Sequence, residues 1–410
     1  MSETYTFFQP EYVSRFQCNG QKCNADCCRK LWRITIDKKT YTQYSNIKPE
    51  SAAEEITRHI AKRDGDNEYV VILDKNLNCP LLTEDNWCSI QKKYGADFLS
   101  VTCATYPRKI KKSGNFYECA LTLTCPVVAE MVLLADEPLK FEEIETSTPL
   151  NSKIGVELAP FAPNTFKFVT DMQMTAITIL QERNLTIDQR LMMLGLYLDR
   201  LCELTDNRSI KDYELMQLNE FYKNSNFLQE QSAQFSAVLN FDAHEHIKLL
   251  LGLLETLYGV GNIVGVQEAE IIRSITATLN LKPDKDNQIS VNSIVPTYNA
   301  LNEDRKNFVQ KFSTIFENYL VNEFFFGTYP FKFKAKINLN YGVFVITYKM
   351  LELVTFSMAN VNSASREDLI SQIMWYVTSL DHNKNFFNKI FDYMKDKSDI
   401  AEIMQSMLQV

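Results

Sequence analysis

The chain has 410 residues, of which 45% are hydrophobic and 12% aromatic, so it can build folded cores and is not a disordered protein. Its formal net charge of -8 is unevenly distributed, because residues 1–125 carry 18 Lys and Arg against 15 Asp and Glu while the remainder is acidic. An acidic body argues against nucleic-acid binding, which needs a basic surface to neutralise phosphates.

The N-terminus and the hydropathy pattern predict a cytoplasmic protein. Residues 1–16 have no basic segment, no long apolar stretch and no small-residue cleavage site, so no secretory signal is expected. The most apolar stretch, 246–266, contains Lys248 and Glu255 and is not predicted to span a membrane. Amphipathic helices leave peripheral membrane association open, and the oligomeric state is not determined by the sequence.

Short runs with strand character alternate with turn signals in the first third of the chain. These runs cover 32–37, 69–74 and 115–124, and the cysteines lie at their ends or within the turns. The pattern predicts a small, irregular, cysteine-rich α+β module over residues 1–135.

Residues 136–165 hold four of the twelve prolines and show no clear period, which predicts a linker. Helical periods follow throughout 166–410, and Thr186 with Gln189 forms a capping-box pattern at the start of a helix over 185–204. Further helices are predicted around 166–180, 213–221, 246–258, 308–325, 343–356, 366–379 and 386–394. The predicted fold class is therefore mainly α, with a larger all-helical domain after the module.

Nine of the ten cysteines lie in the first 125 residues, which points to a metal centre. A reducing cytoplasm keeps thiols free, so a dense cysteine cluster is better explained by thiolate ligation than by disulfides. Cys202 lies in a predicted helix and is interpreted as a packing residue. The candidate ligands are Cys18, Cys23, Cys27, Cys28, Cys79, Cys88, Cys103, Cys119 and Cys125.

The ligand type leaves two metals open. None of the four histidines is close to the cysteines in sequence, so the choice is an all-thiolate zinc site or an iron–sulfur cluster. Nine thiols exceed one four-ligand site, which implies a second centre or a packing role for several of them. Cys27 and Cys28 are expected to point to opposite faces if their backbone is extended, so one of them serves a second site or none.

Arg108 is the candidate cofactor-binding residue. It follows Cys103-Ala-Thr-Tyr-Pro, in which the proline restricts the backbone beside a candidate ligand, and its guanidinium is suited to a carboxylate. The glycines of 259–265 follow a helical pattern rather than a strand, and are interpreted as a helix-ending loop rather than a nucleotide site.

The cysteine motifs resemble those of the bacterial flagellin lysine N-methylases. The resemblance rests on Phe16-Gln-Cys-Asn-Gly-Gln-Lys-Cys-Asn-Ala-Asp-Cys-Cys28, on Cys79-Pro-Leu-Leu-Thr-Glu-Asp-Asn-Trp-Cys-Ser-Ile90, on Cys103-Ala-Thr-Tyr-Pro-Arg108 and on Trp32-Arg-Ile-Thr-Ile-Asp37. The adjacent Cys27 and Cys28, and the motif that begins at Cys79-Pro and ends at Cys88-Ser-Ile90, also resemble a wider family of zinc- or iron-chelating cysteine-cluster proteins. Looser similarity at 318–326 and 381–383 extends the likeness to the C-terminus.

This resemblance implies transfer of a methyl group from S-adenosylmethionine to lysines of flagellin, with a [4Fe–4S] centre, in the cytoplasm. The sequence departs from radical methyl-transfer enzymes because Cys23-x3-Cys27 is followed directly by Cys28, so Cys-x3-Cys-x2-Cys is absent. The alternative is a non-enzymatic adaptor in which zinc stabilises the module and the helical domain docks a partner. A redox sensor at Cys27 and Cys28 is a third hypothesis.

Methylation requires the lysine ammonium to lose its proton, through desolvation or a nearby base, because the ammonium has no free lone pair. Tyr106, Asp97 and Glu118 flank the cysteine motifs and are the candidate catalytic residues. His382 lies alone near the end of a helical segment and is interpreted as structural.

Overall fold

The computed structural model describes residues 4–20, 23, 26–29, 34–63, 69–147, 154–205, 211–258, 266–282, 289–359, 364–380, 383–394 and 399–410. The chain divides into a first unit, 1–131 with 140–163, and a second unit, 132–139 with 164–410. The predicted mainly α fold with a small α+β N-terminal module is confirmed. Trp32, His382 and the glycines of 259–265 lie outside the described residues.

The first unit contains two small sheets. The described strands are β1 Tyr5–Pro10, β2 Thr35–Ile36, β3 Ile60–Lys62, β4 Tyr69–Val71, β5 Arg108–Ser113, β6 Phe116–Leu121, β7 Phe141–Thr146 and β8 Glu157–Leu158. The larger sheet has the order β7-β1-β6-β5-β8, in which β5 and β6 form an antiparallel hairpin and β1 runs parallel to β6. The smaller sheet has the antiparallel order β2-β4-β3.

Short helices connect these strands. They are α1 Glu11–Arg15, α2 Lys38–Ser45, α3 Glu50–Thr57, α4 Ser89–Tyr94, α5 Val101–Thr105 and α6 Pro126–Leu133. Asp37 caps α2 by accepting from the Thr40 N–H at 2.9 Å, and its other oxygen accepts from the Val101 N–H at the start of α5. One carboxylate therefore fixes the start of both helices.

The segment predicted as a linker, 136–165, contributes to both units. Its strand β7 pairs antiparallel with β1 along the whole strand, and β8 pairs parallel with β5. Residues 140–163 belong to the first unit, and 132–139 belong to the second.

The second unit is all-helical over the described residues. Its helices are α7 Phe166–Leu180, α8 Ile187–Thr205, α9 Asp212–Tyr222, α10 Ser225–Ser236, α11 Ala243–Tyr258, α12 Val266–Thr278, α13 Val291–Ala300, α14 Asn302–Lys311, α15 Ser313–Phe326, α16 Ile337–Met358, α17 Arg366–Leu380, α18 Lys384–Met394 and α19 Ile400–Met407. The helix predicted over 308–325 is interrupted at Phe312, where α14 ends and α15 begins. None of the described helices is both long and apolar enough to cross a bilayer.

Helix α16 lies at the centre of this unit, since residues 340–356 are buried. It packs against α8 and α19. Gly195 of α8 permits this close packing, because a Cβ there would lie 2.3 Å from the Met404 side chain and 2.7 Å from the Tyr341 ring. The Tyr341 hydroxyl donates to the Leu191 carbonyl at 3.0 Å and joins α16 to α8.

Two largely buried ion networks join α8 to α15 and α8 to α16. The Glu317 carboxylate of α15 accepts from Arg190 at 2.8 Å and from Arg183 at 2.9 Å. The Lys349 ammonium of α16 lies 2.5 Å from Asp188 and 2.8 Å from Glu352. Breaking one partner of such a pair is strongly destabilising, because it leaves the other charge buried without compensation.

His246 joins α11 to the C-terminal helix. Its Nδ1 lies 3.0 Å from the Ser406 carbonyl, and its ring contacts Phe241 and Tyr298. Burial lowers the pKa of His246 to about 3, and the positive charges of Lys349 and Arg305 add to this effect. The folded protein therefore keeps this imidazole neutral at mildly acidic pH.

We expect the second unit to lose stability as pH falls from 7 to 4, since the unfolded histidine binds a proton near pH 6.5 while the folded one does not. The His246 contribution to this loss is about 3 kcal/mol at pH 4. Amide hydrogen exchange of α11 and α19 measures it. His246→Gln should flatten the pH dependence, and the exposed His244→Gln should not; equal profiles for both variants would refute the assignment.

Candidate metal centre

Cys79 and Cys88 bracket a closed turn. The Thr83 N–H donates to the Trp87 carbonyl at 2.9 Å, and the Ser89 N–H donates to the Leu81 carbonyl at 2.8 Å. A bridge between Leu82 and Cys88 completes this short antiparallel arrangement. The turn brings the two ends of 79–88 together.

Cys27 and Cys28 lie on a 3-10 turn over Asp26–Cys28. The two sulfur atoms are 4.0 Å apart, so the opposite orientation expected for an extended backbone does not apply. The Cys79 N–H donates to the Cys28 carbonyl at 2.7 Å, and the Cys28 thiol interacts with the Cys79 thiol. Three cysteines from two distant segments therefore meet.

Side-chain contacts hold these two segments in place. The Arg29 guanidinium donates to Asn86 Oδ1 at 2.5 Å, which ties the cysteine pair to the 79–88 turn. Gly20, at φ +48°, packs under the Trp87 ring so closely that a Cβ would lie 1.9 Å from a ring carbon. Glycine is thus required at residue 20 by both its backbone angle and the lack of space.

Cys103 comes to the same region on α5. The Ser100 hydroxyl caps this helix by accepting from the Cys103 N–H at 3.3 Å. Cys28, Cys79, Cys88 and Cys103 pack on one apolar cluster that includes Ile34, Ile36 and Ile90. We call Cys27, Cys28, Cys79, Cys88 and Cys103 the thiol group.

The surroundings of the thiol group favour neutral sulfur. Hydrogen bonding with Cys27 and Cys79, together with burial, raises the pKa of the Cys28 thiol far above its usual value. Burial raises the pKa of Cys88, and raises that of Cys103 to about 12. The nearby Cys27 adds to the increase for both. The pKa of Cys79 is lowered, because Cys28 donates to its sulfur.

The donor chemistry of the thiol group fits a soft metal ion or an iron–sulfur cluster. Among the described residues no three His, Cys, Asp or Glu side chains are yet arranged closely enough to hold a metal. Thiols crowded in an apolar pocket repel one another when ionised, and a bound cation removes this cost by replacing their protons. Metal binding at the thiol group would therefore release protons.

The other predicted ligands lie in different surroundings. Cys119 of β6 is buried with Ile110 and Tyr117 in a separate cluster, and burial raises its pKa to about 12. Cys18 is exposed, and the Cys23 thiol donates to the Gly20 carbonyl at 3.2 Å. Cys125 lies just before α6, where burial raises its pKa to about 11 and the charges of Cys27 and Cys18 add to the increase.

Two further residues of the first unit, Arg108 and Tyr44, make a ring contact and a hydrogen bond. The Arg108 guanidinium lies over the Phe16 ring at 5.3 Å from its centroid, at the start of β5. The Tyr44 hydroxyl, which the sequence did not single out, donates to the Phe98 carbonyl at 2.8 Å. Tyr44 lies near Cys103, Cys88 and Cys79, whose charges add to the burial that raises its pKa. No spacing signal in the sequence marks such a tyrosine.

The three candidate catalytic residues differ in environment. The Tyr106 hydroxyl lies 3.2 Å from that of Thr124, and Asp97 is exposed in the turn Ala96–Phe98. Glu118 of β6 is 3% exposed, and neither of its carboxylate oxygens has a hydrogen-bond partner. Burial raises the pKa of Glu118 to about 7, although the charge of Lys111 on the neighbouring strand opposes this shift. A carboxyl group with this pKa exchanges protons near neutral pH.

The second part of the chain matches a family model. Residues 173–408 match the model for the FliB lysine N-methylase C-terminal domain. The chain belongs to the FliB lysine N-methylase family. This confirms the resemblance drawn from the cysteine motifs.

Individual relatives of this FliB-family chain share shorter stretches. The lysine-N-methylase of Salmonella typhimurium is 35% identical over 141 residues, which are 34% of this chain and 35% of that protein. The flagellar biosynthetic protein FliU of Salmonella muenchen is 36% identical over 141 residues, 31% of this chain and 77% of FliU. The chain thus matches about a third of the length of the first relative. No solved structure matches.

We expect Glu118→Gln to stabilise the first unit at neutral pH. Because the folded pKa of Glu118 is raised, the folded state binds more protons than the unfolded state between pH 4.5 and 7, and its stability falls as pH rises through that window. The gain at pH 7.5 is about 3 kcal/mol, measured by hydrogen exchange of β5 and β6.

The matched control is Glu143→Gln, which removes an exposed carboxylate from β7 of the same sheet and should change the profile little. A stability difference between Glu118→Gln and the parent that stays constant from pH 4.5 to 7.5 would contradict the buried, proton-binding carboxyl.

Proposed function

We propose that this chain is a cytoplasmic protein-lysine N-methyltransferase that takes a methyl group from S-adenosylmethionine and modifies flagellin. The observation that carries the proposal is the match of residues 173–408 to a lysine N-methylase domain. The names of the relatives, a lysine-N-methylase and a flagellar biosynthetic protein, support the reaction and the flagellar substrate. The N-terminal cysteine motifs support the same family.

We further propose that the thiol group binds a [4Fe–4S] centre. Four of its five cysteines suffice for such a cluster, and the cationic Arg29 lies beside them. A bound cluster would supply redox or Lewis-acid chemistry. A structural zinc ion is the alternative, and it favours the adaptor hypothesis.

Glu118 is the strongest of the three candidates for the base that prepares the lysine. The substrate ammonium, with a pKa near 10.4, must lose a proton before its nitrogen can form a bond to carbon. In this proposal a Glu118 oxygen accepts that proton, which its pKa of about 7 permits at neutral pH. Arg108 binds the carboxylate of the methyl donor, as guanidinium groups do in a bidentate manner.

Metal analysis after anaerobic purification tests the cluster. We expect the parent protein to contain iron and sulfide in comparable amounts. The double variant Cys79→Ser with Cys88→Ser should contain about tenfold less iron, since both proposed ligands are removed. Cys119→Ser and Cys202→Ser are matched controls, because these thiols lie outside the thiol group. Stoichiometric zinc without iron would support the adaptor, and unchanged iron in the double variant would refute the assignment.

Transfer of labelled methyl groups from S-adenosylmethionine to purified flagellin tests the enzyme. We expect the rate to rise with pH through about 7 in the parent, and Glu118→Gln to lower it about 100-fold and abolish that rise, because the proton acceptor is gone. Glu143→Gln should retain the parent rate. No methylation by iron-loaded protein would contradict the proposed reaction, and an active Glu118→Gln variant would contradict only the base.

A further inference from the structure

The second unit contains a cavity of about 480 Å³ that the methyl-transfer proposal does not use. This volume lies in the range of small-molecule sites in proteins. The cavity is lined by the start of α8, one face of α14, the start of α15, and residues of α16 and the C-terminal segment. The residues from α14 recur at helical spacing and include Asn302, Arg305, Lys306 and Val309.

The side chains around the cavity carry five cations and three carboxylates. Six of these groups belong to the two buried ion networks: Arg183 and Arg190 with Glu317, and Lys349 with Asp188 and Glu352. The first network has one excess positive charge and the second has one excess negative charge. Together they balance, so the networks contribute no net charge to the cavity.

Arg305 and Lys306 are the two charged side chains of the cavity that belong to neither network, and both are positive. Over the described part of the chain, no carboxylate lies within ion-pair distance of either side chain. Arg305 is 5% exposed, and its guanidinium stacks on the Tyr298 ring at 3.5 Å. Lys306 is exposed and follows it on the same face of α14. A buried cation without a counter-charge is costly, and an anionic ligand offsets this cost.

Two buried polar atoms that line the cavity lack hydrogen-bond partners in the described part of the chain. Arg305 Nη2 donates to Gln409 Oε1 at 3.0 Å, but its buried Nε has no hydrogen-bond partner. The buried Asn302 Oδ1, one turn away, also has none. An Nε–H beside an Nη–H is the pair with which arginine binds an oxyanion, and the free amide oxygen suits a hydroxyl or amine.

We propose that this cavity is a binding site for a small organic anion that carries a phosphate or carboxylate together with a hydroxyl or amine. Arg305 and Lys306 bind the oxyanion, and Asn302 accepts from the donor group. The site is independent of the thiol group and of the proposed methyl transfer. S-adenosylmethionine, which has a net positive charge, does not fit this preference.

Isothermal titration of the full chain at fixed salt tests the site with adenosine 5′-monophosphate as the phosphate probe, citrate as the carboxylate probe and adenosine as the uncharged control. We expect one of the two anions to bind one-to-one with a Kd below about 1 mM, and adenosine to bind at least about tenfold more weakly. The anion that binds identifies the source of the oxyanion. Failure of both anions at about 10 mM would overturn the proposal.

Variants then locate the binding. Lys306→Glu, which reverses the charge of an exposed residue, should weaken anion binding by about tenfold. Arg305→Lys, which removes the Nε–H, should weaken it by a similar factor. Lys223→Glu makes the same charge change at an exposed residue outside the cavity and should leave binding unchanged. Parent-like affinity in Lys306→Glu and Arg305→Lys, or displacement of the anion by S-adenosylmethionine, would refute the assignment.

Discussion

The hydrogen bond from the Cys79 N–H to the Cys28 carbonyl, at 2.7 Å, joins two segments that are far apart in sequence, and the candidate metal centre depends on it. Arg29 with Asn86, and Gly20 with the Trp87 ring, fix the same junction from either side. Because the backbone itself makes the connection, Cys27, Cys28 and Cys79 lie near one another in the fold. The fold thus reduces the conformational entropy that a metal would otherwise have to overcome.

The protein contains buried ionisable groups both with and without a counter-charge. In the second unit, Glu317 and Lys349 each find counter-charges, so their helices meet with paired charges in the interior. In the first unit, burial keeps the Cys88 and Cys103 thiols protonated and raises the pKa of Glu118. Groups held at the boundary between protonation states are common where chemistry occurs, whereas paired charges are common in structural cores.

Periodicity predicted much of the second unit, including α7, whose bounds coincide with 166–180, and the capping box of Thr186 and Gln189. Periodicity did not predict α13, which contains Pro296. A proline inside a helix removes a backbone hydrogen bond and argues against a helix at that position, unless tertiary packing compensates. In the first unit, the spacing of the cysteines identified the cysteine-rich region. It did not predict that Cys79 and Cys119 lie in different apolar clusters, because strand pairing decides which cluster each residue joins. The cavity could not be predicted, since its residues come from five separate segments.

Strand β1 lies between β6 and β7 in the larger sheet, although it is synthesised more than a hundred residues before either. The backbone groups of β1 that pair with β7 have no partner until residue 146 has emerged from the ribosome. The larger sheet therefore cannot form completely before that point in synthesis. All nine N-terminal cysteines are translated within this interval. Cys119, on β6 of this sheet, therefore reaches its buried position only after residue 146 has been made, whereas the cluster that holds Cys79 is built from residues 28–103 and contains neither β1 nor β7.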